Sequence, residues 1–278
     1  MDIDRAFVRI SEGLVHYRHC GTAPPGKPPL YMIHASPSSS INLEPMIAAL
    51  GKNRRVIAPD TLGNGDSAPP TPDAPDMDYY ADSVARVLDA LQIDRVDVYG
   101  SHTGGHIACE LAIRHPGRVR KVVFDGISLF SKEDKADFLA RYAPEMAPDE
   151  YGRQFVWAWH FVRDQTLYFP YYRKTPDCAR NQAMPPPETL HKIAVEVLKA
   201  LPTYHKGYRA SFRHDDRGRL PLITQAAFCM ASENDPLKAG VSEAAGLVKN
   251  SRHAILSSER ETGGVAAKAA AVAEFLDS

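Results

Sequence analysis

The stretch from Arg95 to Ala112 constrains this chain more than any other. Val96, Val98 and Tyr99 read as a short β-strand, and Ile107, Cys109, Leu111 and Ala112 begin a helix. Only Gly100-Ser101-His102-Thr103-Gly104-Gly105 separates them. A strand that becomes a helix over so few residues brings backbone against backbone, which glycine permits because it has no Cβ. The side chain in the middle of the bend, His102, is left exposed.

The rest of the chain repeats strand-then-helix units. Residues 6–20 alternate loosely, as two antiparallel strands would around Gly13. Residues 30–33 and 55–59 are short apolar runs suited to strands buried on both faces. Further strands are expected over 119–124, 226–231 and 254–256. Helices are expected over 43–50, 79–91 (Val84, Val87, Leu88 and Leu91 at helical spacing), 241–247 and 266–276. From 129 to 220 the alternation stops, and the pattern is helical and rich in aromatics. The expected fold class is therefore α/β: a mostly parallel central sheet flanked by helices, with a core over 1–128 and 221–278 and a helical cap inserted over 129–220. In such sheets the site lies at the carboxyl ends of the strands. His34, His102, Asp125 and Asp235 all fall there. Trp157, Trp159 and His160 are expected to roof an apolar substrate pocket above them.

Composition bounds the function. The chain's 278 residues can bury a sizeable core, and a formal net charge of −1 argues against nucleic acid or an anionic membrane as an obligate partner. No apolar run is long enough for a membrane helix, and the N-terminus lacks the pattern of a signal peptide. Cys20, Cys109, Cys178 and Cys229 are scattered, which fits a reducing cytoplasm. The histidines read as dispersed, so no metal set and no cofactor are expected. A small-molecule substrate is the expected partner, and a homodimer is left open.

The bend at Gly100–Gly105 resembles the nucleophile elbow of the α/β-hydrolase family. His34-Ala35-Ser36 and the run Asp60-Thr61-Leu62-Gly63-Asn64-Gly65-Asp66-Ser67 resemble two further loops of that family. The likeness runs over roughly residues 10–128 and 220–278. It implies an oxyanion hole made by the backbone N–H groups of Ser36 and Thr103. It also implies that Asp235 occupies the acid position, with Asp125 as the alternative acid position. The departures are at the chemistry. The family carries Ser, Asp or Cys where this chain has His102, and the loop that should hold a catalytic histidine has Ser258. His253 precedes the last strand and belongs at the far edge of the sheet. Ser101 is expected to point away from the cleft, His106 to pack under the sheet, and Glu259 and Arg260 to form a surface ion pair. His34 is expected to be structural.

An imidazole at the elbow has an ordinary pKa of about 6.5 and can take or return a proton near neutrality. The expected function is thus an enzyme acting on a small organic substrate: an ester, lactone, amide or activated C–H or O–H compound. His102 would be its base or nucleophile, oriented by Asp235 or Asp125 beside the oxyanion hole. Cofactor-free lyase or oxygenase chemistry is a variant of that reading. A non-catalytic binding protein that keeps the pocket, and a serine esterase acting through Ser101, are the alternatives.

Overall fold

The computed structural model describes residues 2–278. Eight strands form one sheet: β1 (Asp4–Ile10), β2 (Gly13–Cys20), β3 (Leu30–Ile33), β4 (Val56–Pro59), β5 (Val96–Ser101), β6 (Val119–Asp125), β7 (Ala226–Ser232) and β8 (Ser251–Leu256). Their order is β1-β2-β4-β3-β5-β6-β7-β8. β1, β2 and β4 pair antiparallel, and every pair from β4 onward is parallel. The α-helices are α1 (Glu44–Leu50), α2 (Met77–Ala90), α3 (Thr103–Arg114), α4 (Lys132–Arg141), α5 (Arg153–Leu167), α6 (Pro187–Lys199), α7 (Tyr204–Arg213), α8 (Asp216–Arg219), α9 (Val241–Leu247) and α10 (Gly264–Asp277).

Successive side chains of a strand point to opposite faces, so the fully buried central strands feed two separate apolar layers. Tyr31, Ile33, Val98, Val122 and Phe124 pack with Val84 and Leu88 of α2, Ile107 and Leu111 of α3 and Val241 of α9. Leu30, Met32, Tyr99 and Val123 pack on the other face with Met46 and Ile47 of α1 and Val272 and Phe275 of α10. This two-sided covering makes the core, and it leaves the carboxyl ends of the parallel strands as the place for a site.

The helices α4 to α8 all lie between β6 and β7 in the chain. They carry an apolar cluster of their own, which includes Phe138, Tyr142, Phe161, Tyr204, Tyr208 and Phe212. Trp157 belongs to this cluster: its ring stacks on Phe161 at 4.9 Å and leans on Tyr204 at 5.2 Å. Trp159 and His160, also on α5, are exposed. No helix among the described residues is long and apolar enough to cross a membrane.

Candidate active site

A cleft of about 350 Å³ is lined by both parts of the chain. Ser36, His102, Asp125 and Asp235 come from loops and strand ends of the sheet, and Tyr142, Phe169, Tyr208 and Phe212 come from the inserted helices. Trp157, Trp159 and His160, expected to roof it, do not line it. The reason is helix geometry: one turn of α5 packs Trp157 inward on the insertion's own core and turns its neighbours to solvent.

His102 stands between β5 and α3 with φ 46° and ψ −110°, a conformation that residues with a side chain rarely adopt and that costs about 1–3 kcal/mol. Two backbone bonds fasten it, His102 N–H to the Asp125 carbonyl (3.0 Å) and Gly105 N–H to the His102 carbonyl (2.8 Å). The turn depends on a close approach at Gly104, where an added Cβ would sit 2.3 Å from the Ile33 carbonyl oxygen. The imidazole Nε2 lies 2.7 Å from Asp235 Oδ2, and the side chain is 35% exposed, on the wall of the cleft. Gly126 makes room for the pair. It has φ +76°, and a Cβ there would lie 2.5 Å from His102 Cδ2 and 3.0 Å from Asp235 Oδ2.

The electrostatics follow from the pairing. Burial opposes the imidazolium, but the charge and hydrogen bond of Asp235, helped by the charge of Asp125, outweigh it and raise the His102 pKa above its ordinary value. Burial also opposes the Asp235 carboxylate. The His102 ring, a bond from Leu237 N–H (2.7 Å) and the nearby Lys268 charge nevertheless hold its pKa at about 2. With Asp235 ionised, Nε2 carries the hydrogen that faces it. In the neutral ring the lone pair then sits on Nδ1, which has no protein hydrogen-bond partner among the described residues.

Asp125 is not the partner of His102. Its carboxylate accepts bonds from Lys268 Nζ (2.6 Å), which also lines the cleft, and from the buried Tyr99 hydroxyl. A lysine from α10 thus neutralises it. Lys268 Nζ also meets Glu259, so Glu259 does not pair with Arg260 as expected. Arg260 instead lines the cleft, its guanidinium bonded to Gln182 Oε1 and the Ala183 carbonyl, both at 3.3 Å. Arg180 lines it too, held by the carbonyls of Gln165 (2.8 Å) and Asn234 (3.0 Å). Among the described residues neither arginine meets a carboxylate within 4.0 Å, and burial lowers the pKa of both.

Ser36 and Thr103 line the cleft, and neither backbone N–H donates to a protein acceptor among the described residues. Ser101 is among the residues at the cleft, and it makes no side-chain hydrogen bond to a histidine among the described residues. Ser258 is buried at the cleft wall, and His253 lies exposed on β8. His34 accepts a bond from Thr61 N–H (2.9 Å) and braces two loops. His106 is buried, as expected, but it reaches the cleft wall together with Ser128. Its Nδ1 lies within 4.8 Å of donor atoms of His214 and Asp216, a set that could ligate a metal ion and that the sequence reading missed.

A sequence model described as "alpha/beta hydrolase fold" matches residues 28–163. The solved enol-lactonase from Burkholderia xenovorans LB400 superposes over 98% of this chain and 100% of its own, with a TM-score of 0.70 and 21% identity. The chain has the α/β-hydrolase fold. Among curated proteins, it is 46% identical over 101 residues to 2-hydroxymuconate semialdehyde hydrolase of Pseudomonas sp. (35% of this chain, 36% of that protein). It is 38% identical over 131 residues to the 2-hydroxy-6-oxononadienedioate/2-hydroxy-6-oxononatrienedioate hydrolase of Paraburkholderia xenovorans (43% of each chain). These matches span less than half the length of the curated relatives.

Proposed function

We propose that the cleft is the active site of a hydrolase-like enzyme in which His102, oriented by Asp235, serves as base or nucleophile toward a small organic substrate. The observation that carries the reading is the 2.7 Å pair between His102 Nε2 and Asp235 Oδ2 on a strained turn at the cleft wall. An aspartate that fixes one ring nitrogen leaves the other as the proton acceptor, the arrangement that general-base catalysis needs. Nδ1 takes a proton from a water or from an acidic O–H or C–H of the substrate. The N–H groups of Ser36 and Thr103 then stabilise the oxyanion that forms, since neither has a protein acceptor to give up. Attack by Nδ1 on an acyl carbon, with hydrolysis of the acyl-imidazole, uses the same parts. The helices α4 to α8 act as the cap, closing the cleft with Tyr142, Phe169 and Tyr208.

The substrate class is narrowed by Arg180 and Arg260. A guanidinium without a carboxylate partner in a cleft suits a carboxylate on the ligand. The names of the relatives point the same way, since one is named for a dienedioate. The substrate is therefore a carboxylate-bearing ester, lactone, amide or 2-hydroxy-6-oxo acid. The four cysteines are unpaired, which supports a cytoplasmic setting.

Screening such acids and their esters for turnover identifies a substrate, and His102→Ala then decides the reading. Turnover is expected to fall by about 10²–10⁴-fold with the fold intact by circular dichroism. Full activity in that variant removes the proposal, and recovery of every bound ligand unchanged would make the protein a receptor instead.

A further inference from the structure

The wall of the cleft carries another set of groups that the His102 reading does not use. Ser128, in the loop after β6, places its Oγ 3.0 Å from Nε2 of His106 on α3. Nδ1 of His106 lies 2.5 Å from Oδ1 of Asp216 at the start of α8. We propose that Ser128, His106 and Asp216 form a second catalytic constellation, a Ser-His-Asp set away from the elbow, with Ser128 as nucleophile toward carboxylic esters. It stands independently of the role given to His102.

The proton positions are those the chemistry requires. His214 bridges two carboxylates, Asp216 Oδ1 through Nδ1 (2.8 Å) and Glu110 Oε1 through Nε2 (2.7 Å). A carboxylate faces each ring nitrogen, so both nitrogens donate and His214 is the cation of the cluster. Lys135 adds a second positive charge, 3.0 Å from Asp216 Oδ2. His106 is buried among these cations, with Nδ1 on Asp216 and Nε2 on the Ser128 hydroxyl, surroundings that favour its neutral ring. The Asp216 carboxylate accepts from His214, Lys135 and His106. Nδ1–H of His106 must therefore donate to Asp216, which puts the lone pair on Nε2, facing Ser128. The Ser128 hydroxyl donates to it and has no other side-chain or backbone partner among the described residues. A serine, a neutral imidazole in that tautomer and a buried carboxylate at these distances are the parts of an activated nucleophile. Ser128 and His106 both line the cleft. Asp216 is the positioning residue.

The reaction balances without a further reactant. Ser128 Oγ bonds to the ester carbonyl carbon while its proton passes to His106 Nε2. The bond from that carbon to the alkoxy oxygen breaks, and the alcohol leaves with the proton from His106, giving acyl-Ser128. A water gives a proton to His106 and adds to the acyl carbon. The carboxylic acid leaves as the proton returns to Ser128 Oγ.

The test is covalent capture of the folded wild-type protein by an alkyl fluorophosphonate, which bonds to a serine oxygen with loss of fluoride, followed by peptide mapping. The label is expected on Ser128. Ser128→Ala should abolish it, and His106→Gln should slow it by about 10²-fold or more. His102→Ala, which should stop turnover by the His102 route, should still be labelled at Ser128, so the two readings fail separately. Label on Ser101 or another serine, no label on the wild-type protein, or labelling of Ser128 at an unchanged rate in a folded His106→Gln variant overturns the proposal. The wild-type map decides even if the His106 variant does not fold.

Discussion

At the scale of single residues, the proposed function makes His102 and Asp235 the groups that set the pH behaviour. The raised His102 pKa means that its neutral, proton-accepting form appears only above the ordinary value of about 6.5. The acidic limb of kcat/KM is therefore expected above pH 6.5 in the wild-type protein. Asp235→Asn removes the charge that opposes burial, so the limb should move to lower pH while the maximum falls. A limb that stays in place in that variant would show that another group sets it. The stability linkage has the corresponding signs. The His102 contribution is complete below about pH 6.5 and is lost as pH rises through its folded pKa, while that of Asp235 is present above about pH 4 and is lost as pH falls toward 2. Gly126 is a second single-residue control. An alanine there meets the His102 ring at 2.5 Å and must also hold φ +76°. Gly126→Ala should lower turnover by about 10²-fold, because displacement of a catalytic group by an ångström has that effect. The measurement is kcat beside the thermal midpoint, and a variant with unchanged kcat would remove Gly126 from the site's architecture.

At the scale of elements, the sequence and the structure agree where the physics is local and part where it is not. The strands at 30–33 and 56–59 were legible because each is an apolar run covered on both faces. The strand-turn-helix at β5 and α3 was legible because its glycines have one steric explanation, and Gly104→Ala tests it. A Cβ 2.3 Å from a carbonyl oxygen of β3 must push α3 away, and the expected loss is about 1–3 kcal/mol in urea unfolding. The partners of the carboxylates were not legible. Lys268 reaches Asp125 from 143 positions away, and only coordinates show that it takes this carboxylate and leaves Asp235 for His102. Likewise Asp216 meets His106 across 110 positions. The one local signal was that His106 stands four residues after His102, on the next turn of α3. In the insertion, the crowding of aromatics was visible, but which face of α5 turned inward was not, and so the pocket lining was misassigned to Trp157, Trp159 and His160.

At the scale of the whole molecule, the cleft joins two parts of the chain, and the two unpaired arginines come one from each. Arg180 belongs to the insertion and Arg260 to the loop after β8, and Gln182 of the insertion accepts from Arg260. On the proposed reading, an anionic substrate bound by both arginines bridges the insertion and the sheet. A hydrogen bond to a charged group is worth about 1.5–3 kcal/mol. Arg180→Gln and Arg260→Gln should each raise KM for a carboxylate substrate by about 10–100-fold while changing KM for its neutral methyl ester or amide far less. A deep loss in kcat with KM unchanged would place these arginines at the reacting bond instead, and equal losses on charged and neutral substrates would mean that they merely hold the insertion in place. Because His102 and Ser128 share this cleft but rely on separate carboxylates, the same arginine variants should weaken carboxylate binding for either chemistry and leave the choice of reacting group unaltered.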